Sequence, residues 1–228
     1  MAMAAPIVMS TATPPMPIDR NLLTLTQWLS PAYPVGAFAY SHGLETAVQA
    51  GWVSDPATLE DWLRDVLSAG SGKTDALWVW LAWRGDHPVA ELDAMARAWS
   101  PAQERLREAD RQGAAFAKVT AEVWGLDLPP MLLPVALGAA ARQMDMDPEQ
   151  VAALYLHAFA GNLVAAAQRL MPLGQTAAQG VLSRLTPLCA DVAAVGRGLT
   201  LDDMSSTAFL SDVAAMRHET LEPRLFQS

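Results

Sequence analysis

The stretch PEQVAALYLHAFAGNLVAAAQRLM, residues 148–171, decides the fold. Asp147 precedes Pro148, and a capping side chain followed by proline at the first helical position is a typical start of a helix. The residues that follow are apolar on nearly every face of that helix: Val151, Leu154, Leu156, Phe159, Leu163, Val164 and Leu170. Because a helix that is apolar all round is usually enclosed by other helices, this stretch predicts the central helix of a bundle.

Apolar residues elsewhere recur at helical steps of three and four, between residues that start and stop helices. They predict further helices near 19–29, 41–51, 55–69, 74–84, 88–99, 101–124, 131–144 and 175–195. No stretch shows the alternation of a strand. The predicted fold class is therefore all-α, a single-domain helical bundle. Within it, the 101–124 helix is expected to bury a seam of Leu106, Ala109, Gly113, Phe116 and Val123.

The two ends of the chain are predicted to differ from the bundle. Residues 1–17, MAMAAPIVMSTATPPMP, are interpreted as a flexible, proline-bearing arm, since they lack the basic region and sustained apolar run of a signal peptide. Residues 18–228 form the predicted helical domain. Its C-terminal segment, 196–228, is expected to be looser, because Gly196, Gly198 and the pair Ser205-Ser206 favour turns.

The composition limits the class of function. The 228 residues are 52% hydrophobic and 17% charged, with a formal net charge of −9. This charge opposes binding to nucleic acid, which depends on Lys and Arg releasing counterions from phosphates. Cys189 is the only cysteine, so we expect no intramolecular disulfide and a reducing, cytoplasmic location. The most apolar short run, 76–83, is far shorter than the roughly 20 residues of a membrane span, and no membrane partner is expected.

Gly72-Lys73-Thr74 resembles the end of a nucleotide-binding P-loop. That loop needs a further glycine five residues before the Gly-Lys pair and must connect a strand to a helix. The chain has Leu67 at that position, at the end of a predicted helix. We therefore predict no nucleotide site here: a helix end and turn at 70–72, a solvated Lys73, and Thr74 or Ser71 capping the next helix.

The chain offers little material for a metal or catalytic site. Its four histidines, which have no metal-ligand spacing such as HxH or HxxxH, are His42, His87, His157 and His218. No nucleophile elbow or triad motif appears. We therefore expect that the chain holds no resident metal and is not an enzyme. The alternative function is that of a helical hydrolase or ligand-binding enzyme with a pocket near Tyr40, His42 and Glu45.

Three stretches carry polar groups, prolines and glycines that a helical scaffold does not need. The first is SPAYPVGAFAYSHGLE, which contains Ser30, Pro31, Pro34, Gly36, Phe38, Tyr40, Ser41, Gly43 and Glu45. It can be a structural loop in which Phe38 packs inward and Tyr40 satisfies a core acceptor, or a contact surface that exposes Tyr40 and Glu45. The second stretch, RLMPLGQ, ends the central helix and contains Arg169, Pro172, Gly174 and Gln175.

The third stretch is the tail HETLEPRLFQS at 218–228, in which a charged segment ends in an apolar pair. Burying Leu225 and Phe226 would supply affinity for a partner at roughly 1.5–3 kcal/mol per side chain, and Arg224 can contact a carboxylate. The alternative is a tail folded back on its own domain.

Together these stretches resemble the UreF family of urease accessory proteins. The signature SPxxPVGxFxYSxGLE lies at 30–45, RxxPLGQ at 169–175 and HExxxxRLFxS at 218–228. Glu104 and Glu108 ahead of Gly113, and Thr74-Asp75-Ala76, also fit family positions. Leu133 departs from the pattern, since a histidine is expected before Pro134.

The resemblance implies an all-helical, cytoplasmic scaffold that has no activity of its own. It implies a homodimer that binds UreD (also called UreH), recruits the GTPase UreG and so serves nickel insertion into apo-urease, with nickel and GTP handled by the partners. Arg169, in the last turn of the central helix, complements the helix dipole or modulates the GTPase. An unrelated helical scaffold with no urease connection is the third alternative. The candidate partner-binding residues are Tyr40, Glu45, Arg169, Gln175, His218, Glu219, Arg224, Leu225 and Phe226.

Overall fold

The computed structural model describes residues 19–228, so the predicted arm at 1–17 lies outside the described residues. The α-helices of this part of the chain are α1 (Arg20–Trp28), α2 (Leu44–Gln49), α3 (Pro56–Ser68), α4 (Ser71–Arg84), α5 (Val89–Ala98), α6 (Gln103–Trp124), α7 (Leu133–Gln143), α8 (Pro148–Leu170), α9 (Gln175–Val195) and α10 (Phe209–His218). Short 3-10 helices lie at Ala37–Ala39, Gly196–Gly198 and Leu201–Asp203. No strand occurs in residues 19–228, and the all-α prediction is confirmed.

Helix α8 is the centre of the bundle, as its apolar faces predict. It packs against α9, α4, α7, α3, α2 and α1. It is long and apolar enough to meet the criteria for a membrane span, but 56% of its most apolar window is buried inside the protein. Burial against protein on most sides is what the core helix of a soluble protein requires.

Most helices lie within a few residues of their predicted bounds, but the C-terminal segment differs. The sequence analysis missed α10, whose apolar residues point mostly away from the bundle. Helix α2 begins at Leu44 rather than near 41, because Gly43 has a φ of +76° and ends the preceding loop. A Cβ on Gly43 would lie 2.7 Å from the backbone nitrogen of Ala215 in α10, so this glycine also permits the close packing of α10 on α2.

The P-loop-like sequence lies in the first turn of α4 and follows helix α3, not a strand. The sequence therefore lacks the preceding strand that a P-loop requires, as predicted. A Cβ on Gly72 would lie 2.7 Å from Cα of Leu67, so the glycine serves the tight turn between two helices. The predicted cap is wrong, because the N-cap residue Gly70 makes no side-chain bond and Thr74 donates back to the Ser71 carbonyl at 3.0 Å. Lys73 donates to Ser205 at 2.8 Å.

The buried face of α6 contains most of the predicted seam, since Leu106 and Ala109 pack partly buried against the core. Gly113 and Phe116 are buried as expected, but Val123 is 63% exposed. Five polar residues of the same helix are buried as well: Glu104, Arg105, Glu108, Gln112 and Thr120. Burying charged groups is costly unless each is paired, so the partners of these side chains locate the candidate site.

Candidate functional site

The loop before α2 buries Tyr40, as the structural interpretation expects, but it differs from that interpretation at Phe38 and from the contact-surface interpretation at Tyr40 and Glu45. Phe38, expected to pack inward, is 75% exposed. Tyr40 and Glu45, the candidates for exposed contacts, are 7% and 3% exposed. Gly36, with a φ of +72°, and His42, with a φ of +59°, both have left-handed backbone conformations in this loop. The Ser41 and Glu45 side chains near these turns are buried.

Glu45 binds the tail from inside the protein. Its two carboxylate oxygens accept the backbone N–H groups of Leu225 and Phe226 at 2.7 and 2.9 Å. The Nε2 atom of His218 lies 3.2 Å from the same carboxylate. One buried side chain on α2 therefore fixes both the end of α10 and the apolar pair of the tail.

Glu104 on α6 holds the other side of the same segment. It lies 2.7 Å from Nδ1 of His218 and pairs with Arg224. A neutral imidazole donates from one nitrogen only, whereas both nitrogens of His218 face carboxylates, which accept but cannot donate when ionised. Each ring nitrogen of His218 lies within hydrogen-bonding distance of one carboxylate, Nδ1 beside Glu104 and Nε2 beside Glu45.

Glu108, one turn further along α6, completes the network. It pairs with Arg105 and accepts the hydroxyl of Ser228 at 2.8 Å. Ser228 in turn accepts the backbone N–H of Ser41 at 2.8 Å. Three carboxylates from two helices thus hold residues 218–228 against the domain, which matches the folded-back alternative for the tail.

The neighbouring cavity, about 80 Å³ in volume, is lined by a second, partly buried pair. The Tyr155 hydroxyl donates to Asp75 at 2.7 Å. Burial raises the pKa of Asp75 from 3.8 to about 6, against an opposing effect of Arg105, and it raises the pKa of Tyr155 well above its usual value. The Asp75 carboxyl in the folded protein is therefore mostly protonated below about pH 6 and mostly ionised above it.

Asp75→Asn tests this pair through the pH dependence of stability. Because the folded pKa is raised, the stability contribution of Asp75 is fully present below pH 3.8 and is lost as the pH rises towards about 6. The shift of the Asp75 pKa from 3.8 to about 6 corresponds to ~3 kcal/mol in the free energy of unfolding. We expect Asp75→Asn, which keeps an acceptor for Tyr155, to raise the free energy of urea unfolding at pH 7 and to flatten its fall between pH 4 and pH 6. Asp61→Asn, at an exposed position on α3, is the control, and an unchanged pH profile in Asp75→Asn would contradict the assignment.

The residues of the alternative hydrolase pocket do not form one. Glu45 is used by the tail, whereas Nε2 of His42 lies 2.6 Å from the Ser71 hydroxyl. Burial lowers the pKa of His42 well below its usual value. No group in the described part of the chain bonds to Nδ1 of His42, so no acid orients this ring as a catalytic triad requires. Among residues 19–228, no group of three or more His, Cys, Asp or Glu side chains has a metal-binding arrangement.

The RLMPLGQ stretch ends α8 and starts α9, as predicted. Gly174 is the residue before α9, and Gln175 begins that helix with an exposed side chain. Arg169 reaches across to the first stretch, because its Nη1 donates to the Phe38 carbonyl at 3.0 Å. Its guanidinium also lies over the Phe226 ring, 4.3 Å from the centroid. All three sequence stretches therefore meet at one end of the bundle.

A groove of about 630 Å³ begins at this meeting point. It runs along α8 between α1 and α9, and its lining includes Leu29, Phe38, Leu154, His157, Arg169 and Leu182. Leu22 and Leu23 of α1 are 40% and 56% exposed, and Leu22 is one helical turn before Thr26 of the groove. The groove and α1 form a continuous, largely apolar face.

Comparison with known proteins identifies the family of this arrangement. The family model described as UreF matches residues 53–186. The chain belongs to the UreF family. It is similar to the urease accessory protein UreF of Cereibacter sphaeroides strain ATCC 17029, with 54% identity over 92% of this chain and all of the relative. The UreF protein of Ruegeria pomeroyi is 46% identical over 93% of this chain and 99% of its own length.

Membership of this UreF family gives the protein a role in urease maturation, as an accessory protein and not as an enzyme. It also overturns the alternative of an unrelated scaffold. The three signatures on which the resemblance depended therefore identified the family correctly, although the exposed positions proposed for Tyr40 and Glu45 and the inward packing proposed for Phe38 are wrong.

Sequence reasoning missed part of the network. Arg105 and Gln112 were not singled out, Asp75 was noted only as part of the Thr74-Asp75-Ala76 motif, and Ser228 was only the end of a motif. A signal was present on α6, because the polar residues 104, 105, 108 and 112 recur at the helical steps normally occupied by apolar residues. A buried polar stripe of this kind can be recognised in a sequence only if charged residues, as well as apolar ones, are considered as candidates for the buried face of a helix.

Proposed function

We propose that the chain is a non-catalytic platform that binds UreD (UreH), recruits the GTPase UreG and so serves nickel insertion into apo-urease. The observation that carries this proposal is the C-terminal segment, which is anchored by buried carboxylates yet presents apolar side chains outward. Leu225 is 53% exposed. Phe209, Val213 and Met216, which share one face of α10, are 69%, 37% and 51% exposed.

An exposed apolar helix face next to an anchored tail is typical of a protein-binding surface. We assign it to UreD, and we retain Arg224, Leu225, Glu219 and Gln175 as candidates for direct contact because their side chains are exposed or partly exposed. Glu45, His218, Tyr40 and Phe226 are buried in the domain. Their proposed contribution is to hold the surface in place.

Capture of purified UreD and UreG by the full chain, followed by nickel-dependent urease activation in cells lacking this gene, tests the proposal. Leu225→Asp is expected to weaken UreD capture by at least about tenfold, because it removes roughly 1.5–3 kcal/mol of apolar burial and places a charge in the interface. Urease activation is expected to fall with it.

Val123→Asp is the matched control for this experiment. Val123 is 63% exposed and lies on α6, about 30 Å along the helix from the end that contacts the tail. We expect it to capture UreD as the unchanged protein does. Equal capture by both variants would place the UreD surface elsewhere, and urease activation without the gene would refute the function itself. Point substitution is preferable to deleting 218–228, since deletion would leave the buried carboxylates of Glu45 and Glu104 without their partners.

We also propose that the protein forms a homodimer through the groove along α8. The groove is apolar, and the exposed Phe38 side chain and the α1 leucines extend it. A two-fold interface places the same patch of each copy against the other, and a groove flanked by a protruding aromatic ring supplies both the cavity and the side chain that fills it. Nickel and GTP are proposed to be handled by the partners.

A further inference from the structure

Arg169 lies between two surfaces that the proposed function assigns to different partners. On one side its guanidinium stacks on Phe226, whose backbone N–H is held by Glu45. On the other side it donates to the carbonyl of Phe38, whose side chain lines the groove. Arg169 itself is anchored in the last turn of α8, the most enclosed helix of the bundle.

Backbone hydrogen bonds join the same two segments. The Gln227 N–H donates to the Ala39 carbonyl at 2.9 Å, and the Ser41 N–H donates to the Ser228 carbonyl at 2.8 Å. The loop at 37–41 packs on α8, and these two backbone bonds together with Arg169 tie it to the tail. If the tail leaves its seat, both backbone bonds and the aromatic partner of Arg169 are lost together.

We infer that Arg169 couples seating of the tail to the shape of the groove. With the tail seated, Phe226 holds the guanidinium, the guanidinium holds the Phe38 carbonyl, and the short helix Ala37–Ala39 presents the Phe38 ring at the groove. With the tail displaced, the loop loses these contacts and Phe38 loses its fixed position. Arg169 is therefore a positioning residue between two surfaces.

This coupling has a consequence that rests on the proposed function. If the groove binds a second copy of the chain, seating of the tail strengthens self-association. Coupling between two binding sites is reciprocal, so self-association then also favours the seated tail by the same factor. A partner that grips the tail and a second copy in the groove would thus influence each other through one side chain.

Amide hydrogen exchange of the full chain tests the coupling directly. The N–H groups of Ala39 and Tyr40 donate to the carbonyls of Gly36 and Ala37, so their exchange reports on the 37–41 loop. Arg169→Ala is expected to speed exchange at these two amides by about tenfold, the effect of losing one charge-assisted hydrogen bond. Amides in the middle of α8 are expected to stay unchanged.

Two further variants separate positioning from simple loss of packing. Arg169→Lys keeps a cation and a donor and is expected to restore slow exchange in part. Phe226→Leu keeps an apolar side chain in the same seat but removes the ring face that attracts the cation. In the double variant, Phe226→Leu is expected to add no further increase in the exchange rates of Ala39 and Tyr40 to that of Arg169→Ala. Arg184→Ala, on α9 and paired with Glu60, is the control and is expected to change neither amide.

The two arms of the test can fail separately. Unchanged exchange at Ala39 and Tyr40 in Arg169→Ala would overturn the coupling, whatever the oligomeric state. Sedimentation velocity then measures self-association, which Arg169→Ala is expected to weaken by about fivefold or more. A chain that is monomeric at all concentrations would refute the homodimer, while the exchange measurements would still decide whether the tail and the loop are coupled.

Discussion

Gly113→Ala is expected to lower the free energy of unfolding by more than about 4 kcal/mol, because the added methyl group meets backbone and not side chains. A Cβ at this position would lie 1.9 Å from the Met131 carbonyl oxygen and 2.5 Å from the Leu133 backbone nitrogen. Neither atom can rotate away, so α6 and the start of α7 must move apart. Urea unfolding followed by circular dichroism measures the loss, and the melting temperature should fall by roughly 10 °C or more.

Gly161→Ala is the matched control for this substitution. Gly161 also lies inside a long helix, but its Cβ would find only a Leu182 methyl group, at 3.8 Å. Alanine there gains helix propensity of up to ~1 kcal/mol without a clash. Both substitutions therefore gain the same helix propensity, and they differ only in the atoms that the added methyl group meets. A Gly113→Ala protein as stable as Gly161→Ala would mean that α6 and α7 are farther apart than described.

The periodicity of the sequence was sufficient to predict the bundle. Helix α8 was placed within one residue of its observed end and at the centre, because the burial of an all-apolar helix is fixed by composition and not by a particular neighbour. The same reasoning failed for α10. Phe209, Val213 and Met216 are exposed, so the apolar face of α10, which periodicity would assign to the core, lies on the surface of the chain. In addition, the glycines and serines that precede α10 suggested a loop.

The candidate site could be named from the sequence but not oriented. The three signatures identified residues that do meet in space, since Glu45, Arg169 and His218 lie within one network. Which of them face outward depends on the left-handed turns of the 36–45 loop and on the hydrogen-bond donors inside the domain. Those donors include backbone N–H groups of the tail, which no sequence motif displays.

Glu45→Leu is expected to release the tail and to destabilise the domain by about 3–5 kcal/mol, the cost of removing one partner of a buried charged network. The substitution leaves the N–H groups of Leu225 and Phe226 without their acceptor and deprives His218 of one carboxylate. Glu45→Gln keeps the shape and one acceptor oxygen, but its amide nitrogen faces other donors, so an intermediate loss is expected. Urea unfolding measures the free energy, and amide exchange at Leu225 and Phe226 measures release of the tail.

Glu122→Leu provides the control, because Glu122 is an exposed residue of α6 and its replacement should change stability by no more than about 0.5 kcal/mol. The expected order of stability is Glu122→Leu, then Glu45→Gln, then Glu45→Leu. If Glu45→Leu instead unfolds at the same urea concentration as Glu122→Leu and its tail amides exchange no faster, the carboxylate is not the anchor of the tail. In that case, any loss of UreD capture by Glu45→Leu would have to come from direct contact between Glu45 and UreD. The 3% exposure of Glu45 in the folded chain opposes such a contact.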